Sequence, residues 1–209
     1  MITLYHAPAA CSLAVHIALE ETGTPFESVQ LDLVAGDHRK ADYLAINPRG
    51  RVPALAVDGQ VLTEVPALLA YVASLNPAAG LVPPGGTIAF ARCFEWLAFL
   101  SSSVHIFYAQ FRRPERFLPP EAGDREAFIE QGRVHSEDFY REIETRIAGP
   151  WVLGEEYSLA DPYLLPFHLW GHRIGLDMAK DCPRWTAWKA RMAKRPAVAR
   201  AFAREGLEL

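Results

Sequence analysis

A cysteine near the N-terminus lies where a predicted strand gives way to a predicted helix. Cys11 follows the apolar segment 2–6, and apolar residues after it recur at helical spacing as far as Gly23. The first N–H groups and the dipole of a helix stabilise a thiolate. The sequence therefore predicts Cys11 as a reactive thiol, with Ser12 as a competing nucleophile or helix cap. A small buried residue at a helix start is the structural alternative.

A second segment whose residues could bind a ligand is N-P-R-G-R-V-P-A-L at 47–55. A proline that opens a strand after a loop, as Pro53 does, is a candidate for a cis peptide bond. Such a turn can present the backbone N–H and C=O of Val52 to an extended peptide. An ordinary loop with a trans proline is the alternative.

The predicted elements that position these residues belong to two parts of the chain that differ in composition. In the first part, strands are predicted at 2–6, 26–33, 53–57 and 60–63 and helices at 11–22, 41–46 and 65–75, which gives the order β-α-β-α-β-β-α. Residues 76–86 hold three prolines and three glycines, which is typical of a linker. Beyond it we expect about five helices, at 87–111, 125–147, 158–174, 184–194 and 197–204. The predicted domains are 1–76 and 87–209, joined by a linker at 77–86.

Composition excludes several function classes. The 209 residues carry a net charge of −4, which argues against a nucleic-acid binder. No window of 18 apolar residues predicts a membrane span. The three cysteines are far apart and the N-terminus has no signal-peptide pattern, so we expect free thiols and a cytoplasmic location.

Several segments together resemble a glutathione S-transferase, most like the bacterial beta class. They are A-C-S-L at 10–13, D-Y-L-A-I-N-P-R-G-R-V-P-A-L at 42–55, V-L-T-E at 61–64, G-L-D at 175–177, R-P-A-V-A-R-A-F at 195–202 and E-G-L at 205–207. The resemblance covers essentially the whole chain. It implies an α/β thioredoxin-like N-terminal domain followed by an all-α helical-bundle domain, a homodimer, and glutathione as co-substrate. The implied reaction joins the glutathione thiol to small hydrophobic electrophiles.

The resemblance also implies site residues. The resemblance implies that Cys11, His105 and Ser12 are the catalytic residues, and that His105 reaches from the helical domain towards the thiol. Glutathione is expected to contact Arg51, Val52, Pro53, Glu64 and Val65. The electrophile pocket is expected to be lined by Ala7, Pro8, Phe107, Tyr108, Phe111, Tyr163, Phe167 and Trp170.

Departures from the beta-class pattern keep other functions open. Val65, Ala98 and Ile106 stand where the family often has Ser, Asn and Lys, so polar contacts to glutathione are missing. One alternative is a thiol–disulfide reductase or peroxidase that forms a mixed disulfide at Cys11. Another is a non-catalytic binding protein on the same fold.

Two other polar patterns are interpreted as structural. Ser158 and Asp161 have the spacing of a helix cap, so we expect Asp161 to be buried architecture rather than a catalytic acid. His168 and His172 are four residues apart, but the sequence offers no third ligand near them. We therefore predict no metal site.

Overall fold

A computed structural model describes residues 1–208. The first part of the chain contains β1 (Ile2–His6), α1 (Leu13–Thr22), β2 (Glu27–Gln30), α2 (Ala41–Ile46), β3 (Ala54–Val57), β4 (Gln60–Thr63) and α3 (Val65–Leu75). The second part contains α4 (Ile88–Phe99), α5 (His105–Arg112), α6 (Arg125–Arg146), α7 (Ala160–Trp170), α8 (Met178–Asp181), α9 (Pro183–Met192) and α10 (Pro196–Glu205). The predicted order of strands and helices in the first part is confirmed, and the fold is a thioredoxin-like domain followed by a helical domain.

The four strands form one mixed sheet in the order β2-β1-β3-β4. β1 runs parallel to β2, and β3 runs antiparallel to both β1 and β4. Leu4 of β1 pairs with Leu55 of β3, and both side chains are fully buried. Because β1 and β3 are central, the loops at their ends are held firmly. These loops carry the cysteine and the Val52–Pro53 segment.

The second strand is shorter than predicted. The alternating residues 26–33 predicted a strand, whereas β2 covers only Glu27–Gln30, at an exposed edge of the sheet. The carboxylate of Asp32 accepts hydrogen bonds from the backbone N–H groups of Val34 and Ala35. This side-chain turn competes with strand pairing and ends the extended segment.

The first long helix of the second part is interrupted. One helix was predicted over 87–111, but a π-helical turn at Leu100–Val104 separates α4 from α5. The hydroxyls of Ser101 and Ser102 both donate to the carbonyl of Ala98, a local pairing that disturbs the regular helical ladder. Because such a turn shifts the helical register, it sets where His105 and the rest of α5 point.

A continuous core joins the two parts. Buried apolar residues of α1 and α3 pack in the same cluster as those of α4, α7 and α10. Three-turn α1 is buried on nearly every side, with Leu13, Ile17 and Leu19 fully covered. Within residues 1–208, no helix combines the length and apolar character that crossing a membrane requires.

The capping prediction for Asp161 is confirmed. Asp161 is fully buried, and its carboxylate accepts from the N–H groups of Ser158 and Val152 and from the indole of Trp188. The hydroxyl of Ser158 in turn accepts from Ala160 N–H, so the two side chains close the start of α7. Asp161 therefore stabilises the helical domain and takes no part in a site.

Candidate active site

A cavity of about 350 Å³ lies between the sheet domain and the helical domain. It is bounded by the loop after β1, the segment before β3, the start of α3, and α5 with the turn that follows it. The structure brings most of the predicted residues to its wall, namely Pro8, Cys11, Arg51, Val52, Pro53, Glu64, Val65, His105, Tyr108, Tyr163 and Trp170. Its size is that of a small-molecule site.

The thiol of Cys11 does not have the activated character that its position predicted. Burial raises its pKa to about 12, although the guanidinium of Arg116 and the backbone N–H groups of Cys11 and Ser12 favour the thiolate. The Sγ atom lies 3.4 Å from the carbonyl oxygen of Val52 and donates to it. The expectation of a lowered pKa is therefore wrong for this state of the protein, because the desolvation cost outweighs the helix-start effect. Near neutral pH, Cys11 is a protonated hydrogen-bond donor.

Ser12 is placed differently from its predicted catalytic role. Its side chain is fully buried, and its hydroxyl accepts from the N–H of Ala7 and donates to the carbonyl of Ala7. It makes no side-chain cap on α1. Ser12 thus fixes the loop between β1 and α1 behind the cavity wall, and its oxygen is not presented to a ligand.

His105, the first residue of α5, lines the cavity opposite the cysteine loop. Its ring packs against Phe167 and Trp170, with ring centres 5.7 and 5.5 Å apart. Burial lowers its pKa to about 4, and the charges of Arg116 and Arg51 add to that effect. The imidazole is therefore neutral near pH 7, with one donor and one acceptor nitrogen.

The expected glutathione-contacting residues form one side of the cavity. The Val52–Pro53 peptide bond is cis, as the segment predicted. Glu64 precedes α3 with φ at 71°, and its carboxylate lies 3.0 Å from the Nη1 atom of Arg49. Val65 begins α3, so its amide N–H has no carbonyl partner within the helix, and Pro66 after it has no N–H at all. This wall offers a backbone edge, a carboxylate and a helix N-terminus to a peptide-like ligand.

The apolar wall differs in part from prediction. Phe107 faces away from the cavity and packs on His135 and Phe139 of α6, with ring centres 4.7 and 5.5 Å away. Phe111 packs against the core, and Ala7 and Phe167 are buried behind the wall. These four assignments are wrong for two reasons. The π turn and the α5–α6 contact turn Phe107 and Phe111 of α5 away from the cavity, whereas Ala7 and Phe167 are covered by their neighbours in the core. Tyr108 and Trp170 do line it, stacked with ring centres 4.6 Å apart.

Sequence reasoning missed the charge of the cavity. Six arginines line it: Arg49, Arg51, Arg112, Arg113, Arg116 and Arg173. Among the residues from 1 to 208, Glu64 is the one carboxylate on the wall. The run F-R-R-P-E-R at 111–116 was the available signal, but the two other segments that complete the cluster are distant in the chain. A chain with a negative net charge thus encloses a strongly basic cavity.

Comparison with known proteins identifies relatives over the full length. The family descriptions that match are "Glutathione S-transferase, N-terminal domain" over residues 1–74 and "Glutathione S-transferase, C-terminal domain" over residues 115–196. Glutathione S-transferase GstA of Escherichia coli O157:H7 is 32% identical over 210 residues, covering 98% of this chain and 99% of its own.

Solved structures of bacterial proteins have the same fold. A glutathione transferase homologue from Sulfitobacter with bound glutathione superposes with a TM-score of 0.92 at 38% identity, covering 100% of this chain and 99% of its own. The beta-class glutathione S-transferase of Sphingomonas chungbukensis superposes with a TM-score of 0.83 at 35% identity, covering 99% and 100% of the two chains. The similarity extends through both domains.

Proposed function

The chain belongs to the glutathione S-transferase family, and we propose that it conjugates the glutathione thiol to an electrophile held in the interdomain cavity. The observation that carries this function is the convergence of Cys11, Val52, Glu64, Val65 and His105 around one cavity. The 32% identical relative from Escherichia coli O157:H7 is a glutathione S-transferase, and the Sulfitobacter homologue contains glutathione.

We propose that glutathione lies along the wall formed by the sheet domain. The backbone of Val52, beside Pro53, pairs with the peptide backbone of glutathione. Glu64 binds the α-amino group, and the N–H of Val65 at the start of α3 binds the adjacent carboxylate. Arg51 and Arg116 supply positive charge for the second carboxylate and for the sulfur.

The chemistry needs a stabilised glutathione thiolate. The S–H proton of glutathione leaves to solvent, and the thiolate attacks the electrophilic carbon. A protonated Cys11 donates a hydrogen bond to that sulfur in place of the bond to the Val52 carbonyl. His105, neutral near pH 7, is placed to donate a second bond from the opposite wall. Ser12 contributes by holding the loop that carries Cys11.

Thiol–disulfide exchange is the less favoured function of this site. It requires the thiolate of Cys11 as attacking group. Burial, which raises the pKa of Cys11 to about 12, leaves very little thiolate at neutral pH. The same observation suits a hydrogen-bond donor in conjugation.

We propose the domain bounds, the contacts of the electrophile and the cellular location from membership of the family. Residues 1–76 form the glutathione-binding domain, 77–86 the linker and 87–209 the helical domain. The electrophile has an apolar part that contacts Pro8, Tyr108 and Trp170. Three unpaired cysteines suit the reducing cytoplasm.

A homodimer is part of the proposal. Val34 and Ile88 are apolar side chains that are 97% and 77% exposed in the single chain, and association would cover such residues. Sedimentation at micromolar concentration is expected to give twice the 23.3 kDa chain mass. A monomer under these conditions would contradict the dimer.

The proposed function is tested by measuring glutathione binding and conjugation in the wild type and in two variants. Calorimetric titration should show that glutathione binds both the wild type and Cys11→Ala. Conjugation by Cys11→Ala should fall by less than about tenfold, or about 1.4 kcal/mol, because the Val52 backbone, the α3 N-terminus and His105 still hold the substrate. His105→Ala should also lower conjugation. Absence of both binding and conjugation at millimolar glutathione would refute the proposal.

A further inference from the structure

The part of the cavity wall formed by the end of α5 and the turn after α7 is basic as well as aromatic. Arg112 and Arg113 end α5, and Arg173 follows α7. All three line the cavity together with Tyr108 and Trp170. We call these three residues the arginine cluster. No carboxylate within residues 1–208 lies within 4.0 Å of their guanidinium nitrogens, so the described part of the chain leaves their charges unneutralised.

The hydroxyl of Tyr108, which lies beside the arginine cluster, also lacks a hydrogen-bond acceptor in the described part of the chain. Tyr108 is 6% exposed, and its buried hydroxyl has no hydrogen-bond acceptor within residues 1–208. Burial raises the pKa of Tyr108, whereas the Arg173 guanidinium donating towards its hydroxyl, together with the charges of Arg173, Arg112 and Arg113, opposes that rise. The hydroxyl therefore sits in the field of the cluster as a donor without an acceptor, which is costly for a buried group unless a ligand completes it.

Glutathione does not account for this charge. Its γ-glutamyl carboxylate belongs at the N-terminus of α3 in the proposed binding mode. Its glycine carboxylate and sulfur belong near Arg51 and Arg116, whose charges act on His105 and, for Arg116, on Cys11. Arg112 and Arg173 act instead on Tyr108, on the helical side of the cavity, while Arg113 acts on both Tyr108 and Arg116 and so lies between the two groups. After glutathione is bound, at least the guanidinium groups of Arg112 and Arg173 remain beside the space for the second substrate.

We propose that the electrophile carries a carboxylate or equivalent oxyanion, which Arg112, Arg113, Arg173 and the Tyr108 hydroxyl bind while its unsaturated body stacks near Trp170. Guanidinium groups pair with carboxylates through two parallel hydrogen bonds, and a tyrosine hydroxyl adds a third donor. This inference rests on the proposed conjugation and specifies its acceptor. It replaces a purely hydrophobic acceptor with an amphipathic anion.

A matched pair of probes tests the substrate class. The first is a chlorodinitrobenzoate with the chloride para to the carboxylate, and the second is its methyl ester. In both, the glutathione sulfur forms a C–S bond to the ring, the C–Cl bond breaks, chloride leaves with the electron pair, and the thiol proton goes to solvent. The kcat/KM of each probe is divided by its uncatalysed rate constant. The normalised ratio then reports carboxylate recognition alone.

We expect the wild type to favour the carboxylate over the ester by about tenfold or more, the gain from charge-assisted hydrogen bonding. Arg173→Gln and Arg112→Gln should each lower this preference several-fold, and the double variant should abolish it. Arg173→Lys, which keeps the charge, should retain part of it. Arg184→Gln is the matched control, because Arg184 is exposed on α9 and does not line the cavity.

Three results would overturn the inference. One is an equal rate enhancement for ester and carboxylate in the wild type. Another is a rise in the KM for glutathione in the cluster variants with an unchanged probe preference, since the cluster would then serve glutathione. A third is that dinitrobenzoate lacking the chloride fails to bind in calorimetry with S-methylglutathione present. The calorimetry needs no turnover, so it separates failure of the inference from failure of the proposed conjugation.

Discussion

The thiol of Cys11 is subject to two opposing effects. The N–H groups at the start of α1 and the charge of Arg116 stabilise its anion, whereas burial destabilises it, and burial prevails. The result is a cavity-lining thiol that keeps its proton at neutral pH. Such a group suits hydrogen bonding to another sulfur better than it suits nucleophilic attack.

The pH dependence of alkylation tests this balance. Cys11 is the cysteine on the cavity wall, while Cys93 and Cys182 are fully buried, so iodoacetamide should label Cys11 first. Because only the thiolate reacts and its pKa is about 12, the rate should rise about tenfold per pH unit from pH 7 to pH 10. Peptide mapping with Cys93 as internal control measures it. A plateau below pH 8 would show an activated thiolate instead.

Helix α5 is positioned by a π turn at its start and by a close contact along its length. Gly132 of α6 lies against α5, where an added Cβ would stand 2.8 Å from the backbone nitrogen of Phe111 and 2.9 Å from the Cγ of Gln110. Only a residue without a side chain lets the two helices approach this closely. The contact holds the face of α5 that carries Tyr108 and Arg112 towards the cavity.

Gly132→Ala should destabilise the protein by about 1–3 kcal/mol through overpacking, despite the better helix propensity of alanine. Conjugation should also decrease, because α5 must move away from α6 and carries Tyr108 with it. Urea unfolding and steady-state rates measure the two effects. Gly123→Ala is the control, since its added Cβ would meet nothing within 4 Å. Equal stability of the two variants would disprove the role of this contact.

The two domains are joined by a buried polar cluster beneath the cysteine loop. Glu205 of α10 places Oε1 2.9 Å from Nδ1 of His16 and 3.4 Å from Nδ1 of His6. Its other oxygen accepts from the N–H of Ala9, 3.0 Å away. These three side chains also have the composition of a metal-ligand set, but the short Glu205–His16 distance is that of a hydrogen bond. The last helix of the chain thus fixes the loop that carries Cys11.

Removing this carboxylate should weaken the whole molecule. Glu205→Ala leaves buried polar groups of His16 and Ala9 without their acceptor, so a loss of roughly 3–5 kcal/mol is expected in urea unfolding at pH 7. The neighbouring exposed residue provides the control, because Glu208→Ala should change stability little. A loss no greater than that of the control would contradict the structural role.

The pH dependence of that loss has a defined sign. Burial raises the pKa of Glu205, but hydrogen bonds with His16 and His6 outweigh it and hold the pKa below its usual 4.5. A lowered folded-state pKa means that the stabilisation is complete above pH 4.5 and is lost as the pH falls through the folded value. The difference between wild type and Glu205→Ala should therefore shrink in acid.

The sequence by itself determined the order of elements and the residues of the cavity wall to which we assign glutathione. Strand and helix periodicities depend on residues that are close together in the chain, which is why α2, β4 and α3 were predicted with their observed limits. The N-P-R-G-R-V-P segment is local in the same sense. The resemblance carried by Cys11, Val52 and Glu64 placed these residues on one cavity. Such features depend on neighbours within a few residues.

Only the tertiary structure decided the electrostatics. The pKa of Cys11 depends on how much protein covers it, and that cover comes from elements far along the chain. Arg51, Arg112 and Arg173 lie in three segments that are far apart in the sequence, and they line one cavity because the fold brings those segments together. His16 and Glu205 are 189 residues apart and meet because α10 packs on α1. Desolvation and the summation of charges act through space, so local patterns do not contain them.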